Sequence, residues 1–258
     1  MLLSILTGKI FVYLHPTLEA FFHKNCILCD ATCTQDFCDA CLQHLPGIPA
    51  HHCPICLSAF AFHPAQPHRS QVCGSCLATP PAYDATVAAL TYTFPVDALI
   101  HALKYRAQLT IAPVLARLLI DKLRYLESVH KPDLIIPMPL HSRRLQERGF
   151  NQAVEIARCV ARAMNIKMDL DSCKRVRNTP PQTELAWKLR QKNVRNAFNC
   201  TLDLSGRHVA IVDDVMTTGA TLHALAQQLR IKGAAKISNW VIARVQFDSI
   251  QAIPDVNF

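Results

Sequence analysis

The sequence predicts an α/β protein with an open parallel sheet covered by helices on both faces, over residues 81–258, and a small cysteine-rich module over residues 1–80. Three observations predict it. The run Val209-Ala210-Ile211-Val212 is a buried strand that ends in Asp213-Asp214, passes through a small-residue loop and enters a helical pattern. A second apolar run, Leu134-Ile135-Ile136-Pro137, leads in the same way into a basic loop and an amphipathic helix. Four Cys-x-x-Cys pairs fall before residue 77.

Composition is that of a globular chain. Half of the 258 residues are apolar and 18% are charged, which excludes a disordered polyelectrolyte. The formal net charge is +8, but residues 1–83 carry a net −1. The basic excess therefore belongs to the C-terminal part and favours a polyanionic ligand there.

Met1 to Asn25 contains apolar stretches such as Ile10-Phe11-Val12-Tyr13-Leu14, interrupted by Lys9 ahead of them. They are too short to span a bilayer, and no basic residue precedes the first apolar run. A short amphipathic helix, no stable membrane insertion and a cytoplasmic location are expected.

The paired cysteines are Cys26/Cys29, Cys38/Cys41, Cys53/Cys56 and Cys73/Cys76. Each pair can present two thiolates to one metal from a tight turn, and two pairs complete a tetrahedral Zn²⁺ shell. A disulfide framework would need an oxidising compartment, for which no export signal is seen. Two structural Zn²⁺ ions are expected. Sequential pairing gives two ribbons in tandem, and interleaved pairing is the alternative. Cys33, His51, His52, His63 and His68 are spare ligands, whereas Cys159, Cys173 and Cys200 stand isolated in the sequence and suit buried or half-buried thiols.

Pro80-Pro81 closes the module. A strand is expected over Thr86 to Phe94, a helix from Val96 to Arg106 with Leu99, Ile100 and Leu103 on one face, and a second helix from Ala112 to Leu126. The strand ending at Pro137 runs into a basic loop that contains Arg143, Arg144 and Arg148. In the following helix Phe150, Ala153, Val154, Ala157, Val160, Ala161 and Met164 share one face.

The loop after Asp213-Asp214 carries the clearest chemistry. Thr217, Thr218, Gly219, Ala220 and Thr221 stand where a helix N-terminus exposes unpaired N–H groups, which suits a phosphate. Gly219 permits close backbone approach, and the threonines add hydroxyl donors. Two acids at the carboxyl end of a strand, beside such a cradle, suit a phosphorylated sugar whose hydroxyls they accept from.

The stretch Val209 to Thr221 closely resembles the phosphoribosyl-pyrophosphate (PRPP) motif of type I phosphoribosyltransferases. That resemblance implies that Asp213 and Asp214 hold the ribose hydroxyls, that residues 217–221 hold the 5′-phosphate, and that Mg²⁺ accompanies PRPP. The run Pro139-Leu140-His141-Ser142-Arg143-Arg144-Leu145-Gln146-Glu147-Arg148-Gly149-Phe150-Asn151-Gln152 resembles the ComF family of competence-associated proteins, which includes proteins labelled GntX. In that family a double zinc ribbon precedes a type I phosphoribosyltransferase-like domain, and the likeness extends from Cys26 to Arg244. Arg143, Arg144 and Arg148 match the pyrophosphate loop, where guanidinium forks fit phosphate oxygens.

Residues 175–199 hold a third basic stretch, with Pro181-Gln182-Thr183-Glu184-Leu185, Trp187, Lys188, Arg190, Lys192, Asn193, Arg195 and Ala197-Phe198. In phosphoribosyltransferases a loop here closes over bound substrate. Residues 141–195 together are net +8. Two functions follow from the resemblance. One is a PRPP-binding competence protein that handles incoming single-stranded DNA in the cytoplasm beside DNA-uptake proteins. The other is an active phosphoribosyltransferase that moves ribose 5-phosphate from PRPP to a nucleobase-like acceptor and releases pyrophosphate.

Overall fold

A computed structural model describes residues 24–60, 71–126, 131–177 and 197–246. The chain forms two compact units, Met1–Leu45 and Pro46–Phe258. In the first, the two-residue strands β1 (Lys24–Asn25) and β2 (Thr32–Cys33) pair antiparallel and precede helix α1 (Asp39–Gln43). Asp30 takes a left-handed φ of 61° in the turn between the strands, a conformation that Asp tolerates better than most residues.

The second unit begins with the second cysteine group and helix α2 (Gly74–Ala78), then builds the sheet. Strand β3 (Ala85–Thr91) is followed by α3 (Val96–Arg106), α4 (Ile111–Tyr125) and β4 (Leu134–Pro137). Then come α5 (Ser142–Arg148), α6 (Gln152–Met164) and β5 (Lys167–Met168). A separate antiparallel pair, β6 (Cys173–Arg175) with β7 (Phe198–Cys200), precedes β8 (His208–Met216), α7 (Ala220–Ile231) and β9 (Lys236–Arg244).

The five-stranded sheet has the order β3-β9-β8-β4-β5 and is parallel throughout. Strand β8 carries the apolar run Val209-Ala210-Ile211-Val212 because both faces are covered there: these four are fully buried, as are Ile237, Val241, Ile242 and Ala243 of its neighbour β9. The chain leaves β4 toward β5 on one side and leaves β8 toward β9 on the other. Between adjacent strands whose connections part in opposite directions a crevice opens at the carboxyl ends. The crevice therefore lies between residues 138–151 and residues 214–220.

The helices form where the apolar spacing placed them. In α6 the residues Ala153, Ile156, Ala157 and Val160 have no exposed surface. Its start is Asn151, whose side chain accepts from the Ala153 N–H at 3.0 Å, so Phe150 lies before the helix and not on its face. The basic segment after β4 is partly helical, since α5 occupies Ser142–Arg148 and ends on Gly149 at φ 81°. Strand β3 stops at Thr91, short of the expected Phe94, where the chain turns into the N-terminus of α3 at Pro95.

The expected boundary at 80/81 falls inside the second unit. Hydrogen bonds from the sheet fix the second cysteine group there: Thr86 Oγ1 donates to the Ile55 carbonyl at 2.6 Å, and Gln246 Nε2 donates to the Leu57 carbonyl at 3.0 Å. Cys53, Cys56 and Cys76 belong to the same buried cluster as Val209, Leu222 and Val241. The expected amphipathic helix before Lys24, together with His63, His68, Trp187, Lys188, Arg190, Lys192 and Arg195, lies outside the described residues. Among the described residues no helix is long and apolar enough to cross a membrane.

Candidate functional site: an acid pair and a helix N-terminus in the crevice

Strand β8 delivers Asp213 and Asp214 to the crevice with 8% and 3% of their surface exposed. A buried carboxylate needs a partner. Asp214 has one in Lys104 of α3, whose ammonium forms an ion pair with it, and a second in Gln152 of α6, whose amide donates to it at 3.4 Å. Burial alone would push the Asp214 carboxyl up, but the Lys104 ammonium outweighs it and holds the group below its ordinary value. Lys104 is held up in turn by Asp214 against the opposing effect of burial. Asp213 is driven well upward, by burial first and by the neighbouring Asp214 charge second. The acids are thus unlike: the Lys104 ammonium favours the charged form of Asp214, whereas burial and the neighbouring charge disfavour that of Asp213.

The loop that follows bends at Gly219, with φ 78°, a region that side chains resist. A Cβ there would also meet Met216 Cε and Tyr83 Oη, each at 2.7 Å. Helix α7 starts at Ala220, and Thr218 Oγ1 accepts from the Ala220 N–H at 3.4 Å. Asp213, Thr217, Gly219 and Thr221 line one small cavity with Val215, Met216 and Leu222. Carboxylate and helix N-terminus therefore face the same space.

The basic residues divide by place. Arg148 donates to Gln152 Oε1, so a chain of contacts runs from Arg148 through Gln152 to Asp214. Arg148 also lies over the Tyr105 ring, 5.4 Å from its centre. Arg143 is turned to solvent and pairs with Glu147 at 2.9 Å. Arg144 comes near Arg175 of β6: burial and then the Arg144 charge lower Arg175, and Asp213 opposes them. Three cationic side chains, Arg144, Arg148 and Arg175, thus come to the acid side of the crevice.

The cysteines gather as two sequential groups, Cys26-Cys29-Cys38-Cys41 and Cys53-Cys56-Cys73-Cys76, and in each the sulfurs lie within 4.8 Å of one another. The interleaved alternative is ruled out by this grouping. Burial opposes ionisation of Cys26, but backbone N–H groups of Cys38, Leu28 and Cys29 outweigh it and bring the thiol down to about 6. Cys56, likewise buried, is brought down to about 7 by the Ser58 hydroxyl and backbone N–H. Cys29 is raised, the neighbouring sulfurs raise Cys41 in the same group, and burial with the neighbouring sulfurs raises Cys73 and Cys76 in the second, as expected of thiols that crowd together. Four converging sulfurs fit a tetrahedral metal such as Zn²⁺, which binds them as thiolates. Cys173 and Cys200, isolated in the sequence, are direct partners across β6 and β7 and both are buried. Cys159 is half-buried, as expected.

Comparison with known proteins places this architecture. Residues 151–248 match the family model described as a phosphoribosyl transferase domain. The chain is 39% identical over 195 residues to "DNA utilization protein YhgH" of Salmonella typhimurium, covering 74% of this chain and 83% of the relative. It is 34% identical over 233 residues to "Competence protein F" of Haemophilus influenzae, covering 87% of this chain and 98% of the relative. The chain belongs to the ComF family. "Competence protein ComFC" of Bacillus subtilis is 27% identical over 85% of this chain and 94% of its own length. Among solved structures, a purine phosphoribosyltransferase from Pyrococcus horikoshii aligns at TM-score 0.30 and 19% identity, over 67% of this chain and 98% of that one.

In this ComF-family chain Lys104 and Gln152 are the site residues that sequence reasoning missed. Gln152 ends the Arg148-Gly149-Phe150-Asn151-Gln152 run, which was its available signal. Lys104 follows Leu103 on a helix with a buried face, and only the fold brings it to Asp214. Replacing Lys104 by Met should destabilise the protein by about 3–5 kcal/mol at neutral pH, because it strands a buried carboxylate. The ion-pair contribution is present above the ordinary carboxylate range, roughly pH 4, and is lost as pH falls through the lowered Asp214 value. Denaturant midpoints of wild type and Lys104→Met should therefore differ at pH 7 and converge in acid; a difference independent of pH contradicts the pairing.

Proposed function

We propose that the protein binds PRPP with Mg²⁺ in the β4–β8 crevice and acts in natural competence, handling incoming single-stranded DNA in the cytoplasm beside DNA-uptake proteins. The observation that carries the ligand is the juxtaposition of Asp213, next in the chain to the buried Asp214, with a helix N-terminus on one cavity. Asp213 and Asp214 accept from the ribose 2′- and 3′-hydroxyls, with Lys104 keeping Asp214 ionised and therefore a strong acceptor. Thr217, Thr218, Gly219, Ala220 and Thr221 hold the 5′-phosphate through backbone N–H and hydroxyl donors at the positive end of α7. Arg144 and Arg148, joined by Arg175, face the pyrophosphate, whereas Arg143, expected there from the sequence, is turned to solvent against Glu147. Mg²⁺ enters with PRPP and neutralises part of its charge. Two structural Zn²⁺ ions occupy the cysteine groups.

The competence role is carried over from the names of the relatives, which speak of DNA utilization and competence. The same site, supplied with an acceptor, also has the parts of a phosphoribosyltransferase. Arginines at the pyrophosphate would stabilise the charge that gathers on the leaving group. Pyrophosphate release from PRPP across a panel of nucleobases separates the two readings, since a binding protein releases none above the no-acceptor control.

Charge favours the α/β part for the DNA contact. Residues 141–195 are net +8, whereas residues 1–83 are net −1 before the thiolates are counted. Single-strand binding there releases about 0.7 counterion per phosphate contacted, so four contacts give a log–log salt slope of roughly −3. Fluorescence anisotropy of labelled single-stranded DNA measures it. Neutral substitutions at Arg143, Arg144 and Arg148 should flatten the slope, and PRPP should compete. A slope unaffected by those changes would place the contact elsewhere.

A further inference from the structure

The second cysteine group and the 217–221 loop are joined through two buried side chains. Arg244 ends β9 opposite Met216, the last residue of β8, and has 3% of its surface exposed. A buried guanidinium must find acceptors, and this one finds them on both neighbours. Its Nε donates to the Cys56 carbonyl at 2.7 Å, and its Nη2 reaches Ser58 Oγ at 3.3 Å. Its Nη1 donates to the carbonyls of Thr217 and Val245. Ser58 Oγ also lies 3.2 Å from Cys56 Sγ, within hydrogen-bond reach. The second link is Tyr83, 5% exposed, whose hydroxyl occupies the space beneath Gly219. Burial raises the Tyr83 phenol, and the nearby Cys56 and Cys76 thiols raise it further.

The geometry of these contacts has a directional consequence. In a trans peptide the carbonyl and the following N–H point opposite ways. Turning the Thr217 carbonyl onto Arg244 turns the Thr218 N–H away from the buried guanidinium. Metal at the four sulfurs would tie Cys56 to Cys53, Cys73 and Cys76, and the Cys56 carbonyl is held by Arg244, which also holds the peptide plane at the mouth of the loop. Without the metal the turn keeps its sheet bonds at Ile55 and Leu57 but loses the tie among the sulfurs, and a shift of Cys56 would pass through the buried guanidinium to the loop.

We propose that Arg244, backed by Tyr83, is a positioning residue through which the metal-bound second cysteine group holds the 217–221 loop in its anion-binding shape. Metal occupancy at Cys53, Cys56, Cys73 and Cys76 thereby sets the affinity of the loop for a phosphate monoester. This rests on the reading of the loop as the 5′-phosphate cradle.

Hydrogen exchange by mass spectrometry on the full chain tests it, with zinc content and PRPP affinity measured on the same samples. Arg244→Gln should keep the zinc content of wild type and the protection of residues 152–164, while amides in 216–222 exchange about tenfold faster or more and PRPP binds about tenfold more weakly, as expected for one or two lost charge-assisted hydrogen bonds. Arg244→Lys, which restores a cation with fewer donors, should lie between the two. Cys73→Ser, which breaks the second group, should reproduce the loop effect, whereas Ile156→Val, a buried change in α6, should not. If Arg244→Gln fails to fold, Ser58→Ala removes one acceptor and should give a smaller shift in the same amides. Unchanged 216–222 exchange in zinc-replete Arg244→Gln or Ser58→Ala overturns the proposal, as does equal loosening by Ile156→Val. Wild-type protein that binds no PRPP yet shows this exchange pattern refutes the ligand and leaves the brace standing.

Discussion

Pure protein should carry two Zn²⁺ per chain, and stripping them should unfold residues 24–45 and loosen residues 46–78. The described part of the first unit, residues 24–45, has little else to hold it. Its helix α1 buries no residue, and Phe37 joins Cys26 as its buried apolar side chains among the described residues. Strands β1 and β2 contribute two residues each. A segment of that size cannot offset its own chain entropy, so metal binding energy becomes folding energy, on the order of 10–16 kcal/mol for a structural site at neutral pH. Cys26→Ser should abolish the first site and leave the sheet intact. Cys159→Ser should be mild, because that thiol is half-buried on α6 and outside both groups. Elemental analysis and circular dichroism during chelation measure this. Metal-free protein with native secondary structure, or disulfides among the eight thiols under reducing conditions, would contradict it.

The two parts of the molecule were unequally legible in the sequence. Strand β8, its two acids and the start of α7 are contiguous, so one stretch shows the strand, the bend and the helix N-terminus in order. The cysteine pairs were legible for the same reason, since each pair is a local turn and spacing alone favoured the sequential groups that the fold adopts. What could not be read was whatever the sheet brings together from afar. Lys104 reaches Asp214 only because α3 and β8 converge at one end of the sheet. Arg244 meets Cys56 only because β9 lies between β3 and β8, where its last residue faces the cysteine turn. The same contacts draw Cys53 to Cys76 into the α/β unit, although composition and Pro80-Pro81 suggested a break after residue 80. The short helix α5 escaped notice because three of its seven residues are arginines and none is buried, so it shows no apolar face.

The central claim is that PRPP occupies the β8–α7 crevice, and removal of the acid pair should have a large effect on it. Changing Asp213 and Asp214 alone would leave the Lys104 ammonium buried without its partner, and the loss would mix binding with folding. Asp213→Asn, Asp214→Asn and Lys104→Met together remove the buried charges as a set and keep the shape, a replacement that is often close to neutral for stability. The charge-assisted hydrogen bond from the ribose to Asp214 would then be weakened, at about 1.5–3 kcal/mol, together with the contact at Asp213. Calorimetric titration of the wild-type protein and this triple variant with Mg·PRPP is the direct measurement. Saturable one-site binding by the wild type, weakened at least about tenfold in a folded triple variant, is the expected result. Equal affinity in the two proteins, or no heat of binding in the wild type, would contradict the account.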